Sequence, residues 1–376
     1  MEQVKQLKFS DDKFNIIVKN TVELAAASTS KNFGAYGIIE DVQMDSDNYK
    51  ELNSKVKEAT LCYAAEKAGI PVPQDATEMA FALDNTMFKT VLNSIIARSI
   101  GEMMVTYRAP QLDRLAQIDT VPAGSSMSYE IETKSLPIAQ KATYGSNVTM
   151  VPSYAKSSIT VTPKPYSIGL SLDFIRILAN GYDWGYAIAR VYAGMLFAQY
   201  KLIVSQLFAT AVLTGTPLYQ SNFSSAGYTQ LASDVAMLAG VGIENVTAYG
   251  SLVAWNALSA LATQGGFTTK DDYIRNAYLQ KIYGVDSMIL SDFTNFSAPF
   301  TTGNAASLRS IPNNLIVLVP ANDKPVKVVR EAYIRVIETP AQDNTLNRNE
   351  YSYFQSFDAA LATPNYFGLQ GTTAAA

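Results

Sequence analysis

The long apolar segment from residue 184 to about residue 213 limits most strongly how this chain can fold. Its only charged residues are Arg190 and Lys201, and this composition predicts one long helix. At about 100° per residue, one polar seam holds Arg190, Lys201 and Ser205, and an opposite seam holds Gln199, Gln206 and Thr210. The apolar faces between the seams hold Val191, Met195, Leu202, Ala209 and Leu213 on one side, and Leu196, Phe197, Ile203, Val204, Leu207 and Ala211 on the other. A surface helix buries one stripe, so two apolar faces indicate a strut that other elements grip from both sides.

The composition indicates a folded chain that is not a dedicated nucleic-acid binder. Hydrophobic residues make up 48% of the 376 positions, which is enough for a substantial core divided over two or three compact units. The formal net charge is −4, so the chain has no overall basic excess of the kind that nucleic-acid-binding domains carry. Any contact with DNA is therefore expected to be weak and nonspecific.

Histidine is absent from the chain, and its absence removes the commonest general base and the commonest metal ligand together. The single cysteine, Cys62, cannot form an internal disulfide, and without histidine it cannot complete a structural zinc site. We expect Cys62 to be a small packed side chain on a helix. The sequence therefore predicts no catalytic residues, no metal-binding or cofactor-binding residues, no cofactor and no enzyme activity.

Two kinds of short motif resemble functional sites without their full pattern. Gly250-Ser251 follows a predicted strand, as phosphate-binding turns do, but it lacks the Gly-Lys-Ser/Thr ending of a P-loop and the spaced glycines of a dinucleotide site. The adjacent acids Asp11-Asp12 and Asp271-Asp272 are better interpreted as solvated charges and helix-start acids than as an acid/base couple.

No membrane segment is expected. Residues 1–10 lack the apolar stretch of a signal peptide. The helix from Trp184 is the one candidate for a membrane span, and Arg190, Gln199, Lys201 and Gln206 interrupt it too often for about 20 predominantly apolar residues in a row. We therefore expect no membrane partner.

Residues 1–120 are predicted to form a largely helical arm. Ser46 or Asp47 can cap a helix that Gly69 ends, and Asp84 can cap a second helix. Residues 1–50 have weak apolar content, so we expect little core of their own and favour an arm that docks on a neighbouring subunit. A separate small helical domain is the alternative.

Residues 121–164 are predicted to form an extended hairpin. Residues 127–133 alternate strictly between two faces, and the pattern returns at 158–162, which indicates two half-exposed strands. About two dozen polar residues between them would form the tip, and a loop that long is uncommon unless it binds something or moves. We expect the tip to reach another molecule, and a flexible surface loop is the alternative.

The rest of the chain is predicted to contain two structural units. Strand patterns at 166–172, 326–337 and 351–361 indicate strands that pair beside the long helix. Between them, strands at 246–249, 285–290 and 315–319 alternate with helices, one of them at 273–283, as in an α/β unit. The helix after Ser251 is expected to bury Leu252, Trp255, Leu258 and Leu261.

This order of parts, together with three local sequences, resembles the major capsid proteins of tailed bacteriophages, the Hong Kong 97-type fold. The local sequences are PYSIGLSLDFIRIL from Pro165, NVTAYGSLVAWNAL from Asn245 and YGVDSMILSD from Tyr283. The resemblance runs from about residue 127 to residue 369. Lys134, Lys141 and Lys156 are not distinctive enough to indicate the Lys–Asn crosslink that some members form.

The resemblance implies an α+β chain in four parts: a helical arm (1–120), an extended hairpin loop (121–164), a peripheral domain with a spine helix (165–227 and 326–376) and an axial domain (228–325). It implies a major capsid protein that assembles with itself, as hexamers and pentamers, into an icosahedral head around double-stranded DNA. Portal, scaffold or decoration proteins are further expected partners, and the protein would be made in a bacterial cytoplasm and reside in the virion.

Two other functions stay open. An encapsulin nanocompartment shares the fold and holds cargo enzymes. An enzyme built on the α/β segment is the third hypothesis, but no cluster of carboxylates or lysines favours it. In each shell hypothesis, we expect the long helix and the hairpin to be enclosed by sister molecules.

Overall fold

The computed structural model describes residues 11–34, 42–107, 110–132, 156–172, 183–208, 218–264, 280–290, 311–321, 324–332, 334–339, 349–361 and 367–374. The helices are α1 (Asp12–Phe33), α2 (Ser46–Ala68), α3 (Ala76–Asp84), α4 (Thr86–Thr106), α5 (Pro110–Leu115), α6 (Trp184–Leu207), α7 (Ser225–Ala239) and α8 (Leu252–Gln264). The strands are β1 (Ala116–Val121), β2 (Met127–Glu132), β3 (Lys156–Val161), β4 (Lys164–Leu172), β5 (Tyr219–Phe223), β6 (Val246–Gly250), β7 (Lys281–Ile282), β8 (Val285–Ile289), β9 (Leu315–Pro320), β10 (Val326–Glu331), β11 (Arg335–Thr339), β12 (Asn349–Leu361) and β13 (Gly368–Ala374). The predicted mixture of helices and strands is confirmed.

Helices α1, α2 and α4 pack on one another and on α6 of the same chain. Residues 24–29 of α1 are all buried, and most of them are small, which lets neighbouring helices approach α1 on several sides. The expectation that this segment docks on a neighbouring subunit is wrong for α1, because α1 shares the main hydrophobic core with α6 of the same chain. The weak apolar content reflected alanine, serine and threonine, which pack closely without scoring as strongly hydrophobic.

The ends of these helices follow local signals. Gly69 ends α2 in the left-handed conformation, as predicted, but Asn85 rather than Asp84 caps α4 by accepting hydrogen bonds from the backbone N–H groups of Met87 and Phe88. The long helix α6 begins after Asp183, whose carboxylate accepts from Tyr186 N. It ends at Leu207 instead of about residue 213, because Phe208 leaves helical geometry at φ −94° and ψ 16°.

Helix α6 lies between the α1–α4 helices on one side and strands β4, β10 and β12 on the other. The predicted strut is confirmed, because elements of this chain pack against α6 from two sides. The expectation that sister molecules are needed to bury its apolar faces is therefore wrong. Of the two predicted polar seams, Arg190, Lys201 and Ser205 are exposed, whereas Gln199 is completely buried and donates to Gln355 of β12 at 3.5 Å. Helix α6 is long and apolar enough to span a membrane, yet 67% of its apolar window is buried inside the protein, as in a core helix.

A five-stranded sheet lies against α6. Strand β12 is its centre: β4 pairs with one edge, and β10 and β11 pair with the other. Strand β1 adds to β10 in parallel. Tyr166 and Phe357 stack face to face at 4.1 Å between ring centroids, across β4 and β12. The prediction that the returning strands pair with the strand at Tyr166 beside the long helix is confirmed.

A six-stranded sheet with the order β5-β13-β9-β6-β8-β7 forms the second unit. Strands β5 and β13 lie in this sheet, although the sequence boundaries assigned residues 219–223 and 368–374 to the peripheral domain. Strand β13 lies between β5 and β9, because the chain returns from β12 and inserts there. Local patterns identify a strand but not its sheet, which explains the difference.

The helix after β6 is α8, and its predicted buried face is partly confirmed. Trp255 and Leu258 are fully buried, and the Trp255 indole N–H donates to the Met288 carbonyl. Leu252 is exposed, because it lies in the first turn of α8 at the end of the sheet. The helix predicted at 273–283 does not reach its expected end, since residues 281–282 form β7 and Tyr283-Gly284 make the turn into β8 with positive φ angles. The rest of that predicted helix lies outside the described residues.

Strands β2 and β3 form the predicted antiparallel hairpin, with Met127 opposite Val161 and Tyr129 opposite Ile159. Val161 packs with Val121 of β1 and Val329 of β10 in a small separate core. The base of the hairpin therefore rests on the five-stranded sheet. Residues 133–155, the predicted tip, lie outside the described residues, as does Asp271-Asp272.

Candidate assembly surface

The described residues contain no group of three or more Cys, Asp or Glu side chains that could hold a metal ion. The Gly250-Ser251 turn serves the helix that follows it. The Ser251 hydroxyl accepts from Ala254 N at 3.1 Å and donates to Asn313 Oδ1 at 3.2 Å, so Ser251 caps α8 and joins it to the segment before β9. The structure therefore gives Ser251 a capping role, and the prediction of no catalytic residue stays a prediction.

Asp11 and Cys62 both lie on the helical part of the chain. Asp11 caps α1 by accepting from Phe14 N, and its carboxylate also contacts Lys67 Nζ at 2.7 Å and Tyr63 Oη at 3.0 Å. The Lys67 ammonium, followed by the Phe14 N–H, lowers the pKa of Asp11 to about 2. The helix-start interpretation of Asp11 is confirmed.

Cys62 is on helix α2, as predicted, but it is exposed rather than packed. Val56, Thr60 and Tyr63 form the buried stripe of α2, and Cys62 lies two residues after Thr60, about 200° around the helix. The composition of the chain could not indicate on which side of the helix this residue would fall.

The outward side of α6 carries an aromatic and basic stripe. Tyr186, Arg190, Phe197 and Lys201 follow one another at spacings of four, seven and four residues, which places them along one line of the helix. Phe33, from the end of α1, lies against the stripe. Its ring is parallel to that of Tyr186 at 6.3 Å between centroids and meets Phe197 edge-on at 6.4 Å. We call these five residues the α6 groove.

The electrostatic character of the α6 groove is positive. Arg190 Cζ lies 5.9 Å from the centroid of the Tyr186 ring, within cation–π range, and Arg190 and Lys201 are both exposed. The nearest acid on α6 is Asp183, whose carboxylate already accepts from Tyr186 N and from the Tyr49 hydroxyl. A ligand of the α6 groove should therefore bring apolar surface and negative charge.

Large apolar side chains are also exposed elsewhere on the described surface. Phe81 on α3 is the most exposed at 72%, and Val105, Met237 and Ile16 follow. Singly exposed apolar residues are common on monomers, so each alone has no functional meaning. Phe81 differs because a second exposed apolar residue, Met87 at 38%, follows it in the first turn of α4.

Sequence reasoning found part of this surface. It placed Arg190 and Lys201 on one seam, and the exposed seam confirms that placement. It missed Phe33, because a residue on α1 reaches the groove only through tertiary packing. It also missed Phe81, because no local pattern indicates which apolar residue of a short helix stays exposed.

The comparison with protein families identifies the chain. Residues 71–370 match the family model described as "SPbeta prophage-derived putative capsid protein YonB". The chain belongs to the YonB family of capsid proteins. No curated protein sequence matches it. The match begins before α3 and ends within β13, so it includes strands of both sheets, α6 and the hairpin.

Solved structures similar to this YonB-family chain include phage capsids. The capsid of cyanophage P-SCSP1u is 11% identical, covers 69% of this chain and 87% of its own, and has a TM-score of 0.47. The capsid of the native GTA particle is 12% identical over 70% and 90% of the two chains, with a TM-score of 0.49. The holo-SrpI encapsulin of Synechococcus elongatus PCC 7942 is 12% identical over 70% and 87%, with a TM-score of 0.41. These resemblances are distant, and family membership rests on the family model.

The prediction of a phage capsid protein is confirmed. The protein is a structural subunit of a phage capsid and belongs to the virion. The order of elements expected for the Hong Kong 97-type fold is present: N-terminal helices, hairpin, strand, long helix, α/β unit and returning strands.

Proposed function

We propose that this YonB-family protein is the major subunit of an icosahedral head that encloses double-stranded DNA. The family match over residues 71–370 is the observation that carries the proposal, because it spans nearly every element of both sheets. Subunits would group as hexamers and pentamers, as the resemblance to Hong Kong 97-type proteins implies. Assembly would take place in the cytoplasm of a host bacterium.

The packing of the subunit supports a role for each of its parts. The hairpin base stands on the five-stranded sheet through Val121, Val161 and Val329, so residues 133–155 would reach a neighbouring subunit from a firm base. The peripheral unit would be α6 with the five-stranded sheet. The axial unit, proposed at residues 228–325, gains β5 and β13 in this assignment, because both strands complete its sheet.

Other partners would be held more weakly. The net charge of −4 supports containment of DNA with weak, nonspecific contact rather than tight binding. Portal, scaffold or decoration proteins are further partners of this proposal. The chain would act without a cofactor and without enzyme activity.

Electron microscopy of the purified protein tests the proposal. Closed particles that protect nucleic acid from nuclease would support a phage head. Closed particles that hold an enzyme and no nucleic acid would support the encapsulin hypothesis instead. Elution as a monomer under all conditions of salt and concentration would refute the shell function and favour an enzyme on the α/β segment.

A further inference from the structure

The turn between α3 and α4 presents an acidic and aromatic projection. Thr77, Phe81 and Asp84 lie along one line of α3, and all three are exposed. Phe81 is 72% exposed, and Met87 adds apolar surface from the start of α4. Asp84 makes no hydrogen bond or ion pair within the described part of the chain, so its charge is available. We call Phe81, Asp84 and Met87 the α3 knob.

The α3 knob and the α6 groove are complementary in chemistry. The groove offers the aromatic rings of Phe33 and Tyr186 beside two exposed cations, Arg190 and Lys201. The knob offers one aromatic ring, one thioether side chain and one free carboxylate. Aromatic side chains, methionine and arginine are the residues that protein interfaces concentrate, and an opposite charge at the rim favours one orientation of docking.

This pairing cannot take place within one chain in the described structure. Phe81 and Tyr186 both remain exposed there, at 72% and 38%, so neither covers the other. Two different surfaces that match each other form a head-to-tail contact between copies, and such a contact repeats from subunit to subunit until a ring or shell closes. Each copy would use its knob on one neighbour and its groove on another.

We propose that the α3 knob of one copy of this chain docks into the α6 groove of a second copy. Phe81 packs against the ring pair of Phe33 and Tyr186, and the Asp84 carboxylate pairs with Arg190 or Lys201. The inference rests on the proposed shell function and deepens it, because it names a contact through which subunits join.

Disulfide trapping between two differently labelled copies tests the contact directly. Cys62 is exposed, so Cys62→Ser is the common background. One preparation carries Phe81→Cys and the other carries Tyr186→Cys, and the two are mixed and oxidised under conditions of assembly. A disulfide-linked dimer of one copy of each is expected. Ile16→Cys, at another exposed apolar position on α1, replaces Phe81→Cys as the matched control and should give no dimer with Tyr186→Cys.

Charge exchange gives a second readout. Asp84→Lys and Arg190→Glu should each raise the subunit concentration needed for assembly by about tenfold or more, as expected when an interface charge meets a like charge. The double variant should recover most of the loss, because the pair is restored with its signs reversed. The melting temperature of each single variant should change little, since both side chains are exposed and Arg190→Glu loses only the contact of Arg190 with the Tyr186 ring.

The outcomes separate this contact from the shell function. Closed shells with no Phe81→Cys/Tyr186→Cys dimer, or a double charge variant that assembles no better than either single variant, would overturn the contact and leave the shell function intact. A trapped dimer without closed particles would support the contact and refute the closed shell. Absence of both dimer and particles would refute both.

Discussion

Gly185 in the first turn of α6 provides a sharp test of how the N-terminal helices pack. A methyl group at this position would lie 2.7 Å from Leu24 Cγ, 2.7 Å from the Tyr49 hydroxyl and 3.1 Å from the Leu24 carbonyl oxygen. The carbonyl belongs to the backbone of α1, so moving it would disturb that helix. The Tyr49 hydroxyl donates to Asp183, so moving it would break this hydrogen bond. Gly185→Ala should therefore separate α1 and α2 from the start of α6.

The expected change in the free energy of unfolding of Gly185→Ala follows from two opposing effects. Replacement of a helical glycine by alanine normally stabilises a protein by about 0.5–1 kcal/mol. Overpacking of a tight contact typically costs about 1–3 kcal/mol. We therefore expect Gly185→Ala to lower the free energy of unfolding by about 1–2 kcal/mol. Gly101, inside α4, has nothing within 4 Å of an added methyl group, so Gly101→Ala should raise that free energy by about 0.5–1 kcal/mol.

Urea unfolding of dissociated subunits, followed by circular dichroism, measures both changes. The two glycine-to-alanine variants should shift the unfolding midpoint in opposite directions. A Gly185→Ala midpoint that rises as much as that of Gly101→Ala would refute the close packing of α1 on α6. It would then favour the hypothesis that the N-terminal helices form an arm that docks on a neighbouring subunit.

Three further predictions concern other parts of the molecule. The pKa of the Asp11 carboxyl is lowered from 3.8 to about 2, chiefly by Lys67. The ionised carboxylate therefore stabilises the fold above pH 3.8, and this stabilisation is lost as the pH falls toward 2. In urea titrations between those pH values, the Asp11→Asn variant should lose less free energy of unfolding than the unchanged protein. A methyl group on Gly371 would lie 1.9 Å from the Ser221 carbonyl oxygen. Gly371→Ala should therefore lower the free energy of unfolding by about 3 kcal/mol or more and lower the melting temperature. An unchanged melting temperature would contradict the placement of β13 beside β5. Replacement of residues 133–155 by Asn-Gly, which closes β2 and β3 with a two-residue turn, should leave soluble subunits with an unchanged melting temperature and no closed particles by electron microscopy. Normal shells would contradict the role of the hairpin.

The candidate surface shows how far sequence reasoning reaches and where it stops. The spacing of Arg190 and Lys201 along a helix places them on one face, because helical periodicity is a property of consecutive residues. The same reasoning put Gln199 on a second polar seam but could not say what that seam contacts. Gln199 is buried against Gln355, 156 positions later in the chain. A polar residue can be buried when a distant partner satisfies it, and no local pattern reports that partner.

The sequence by itself determined the elements and their order. Alternation placed the β2–β3 hairpin, apolar spacing placed α6, and the absence of histidine removed whole classes of chemistry, because each is read from neighbouring residues or from composition. The tertiary structure alone decided what surrounds α6, which sheet receives β13 and where Phe33 meets Tyr186. Those outcomes depend on contacts between residues far apart in the chain, where packing in three dimensions selects among partners that local preference leaves equivalent.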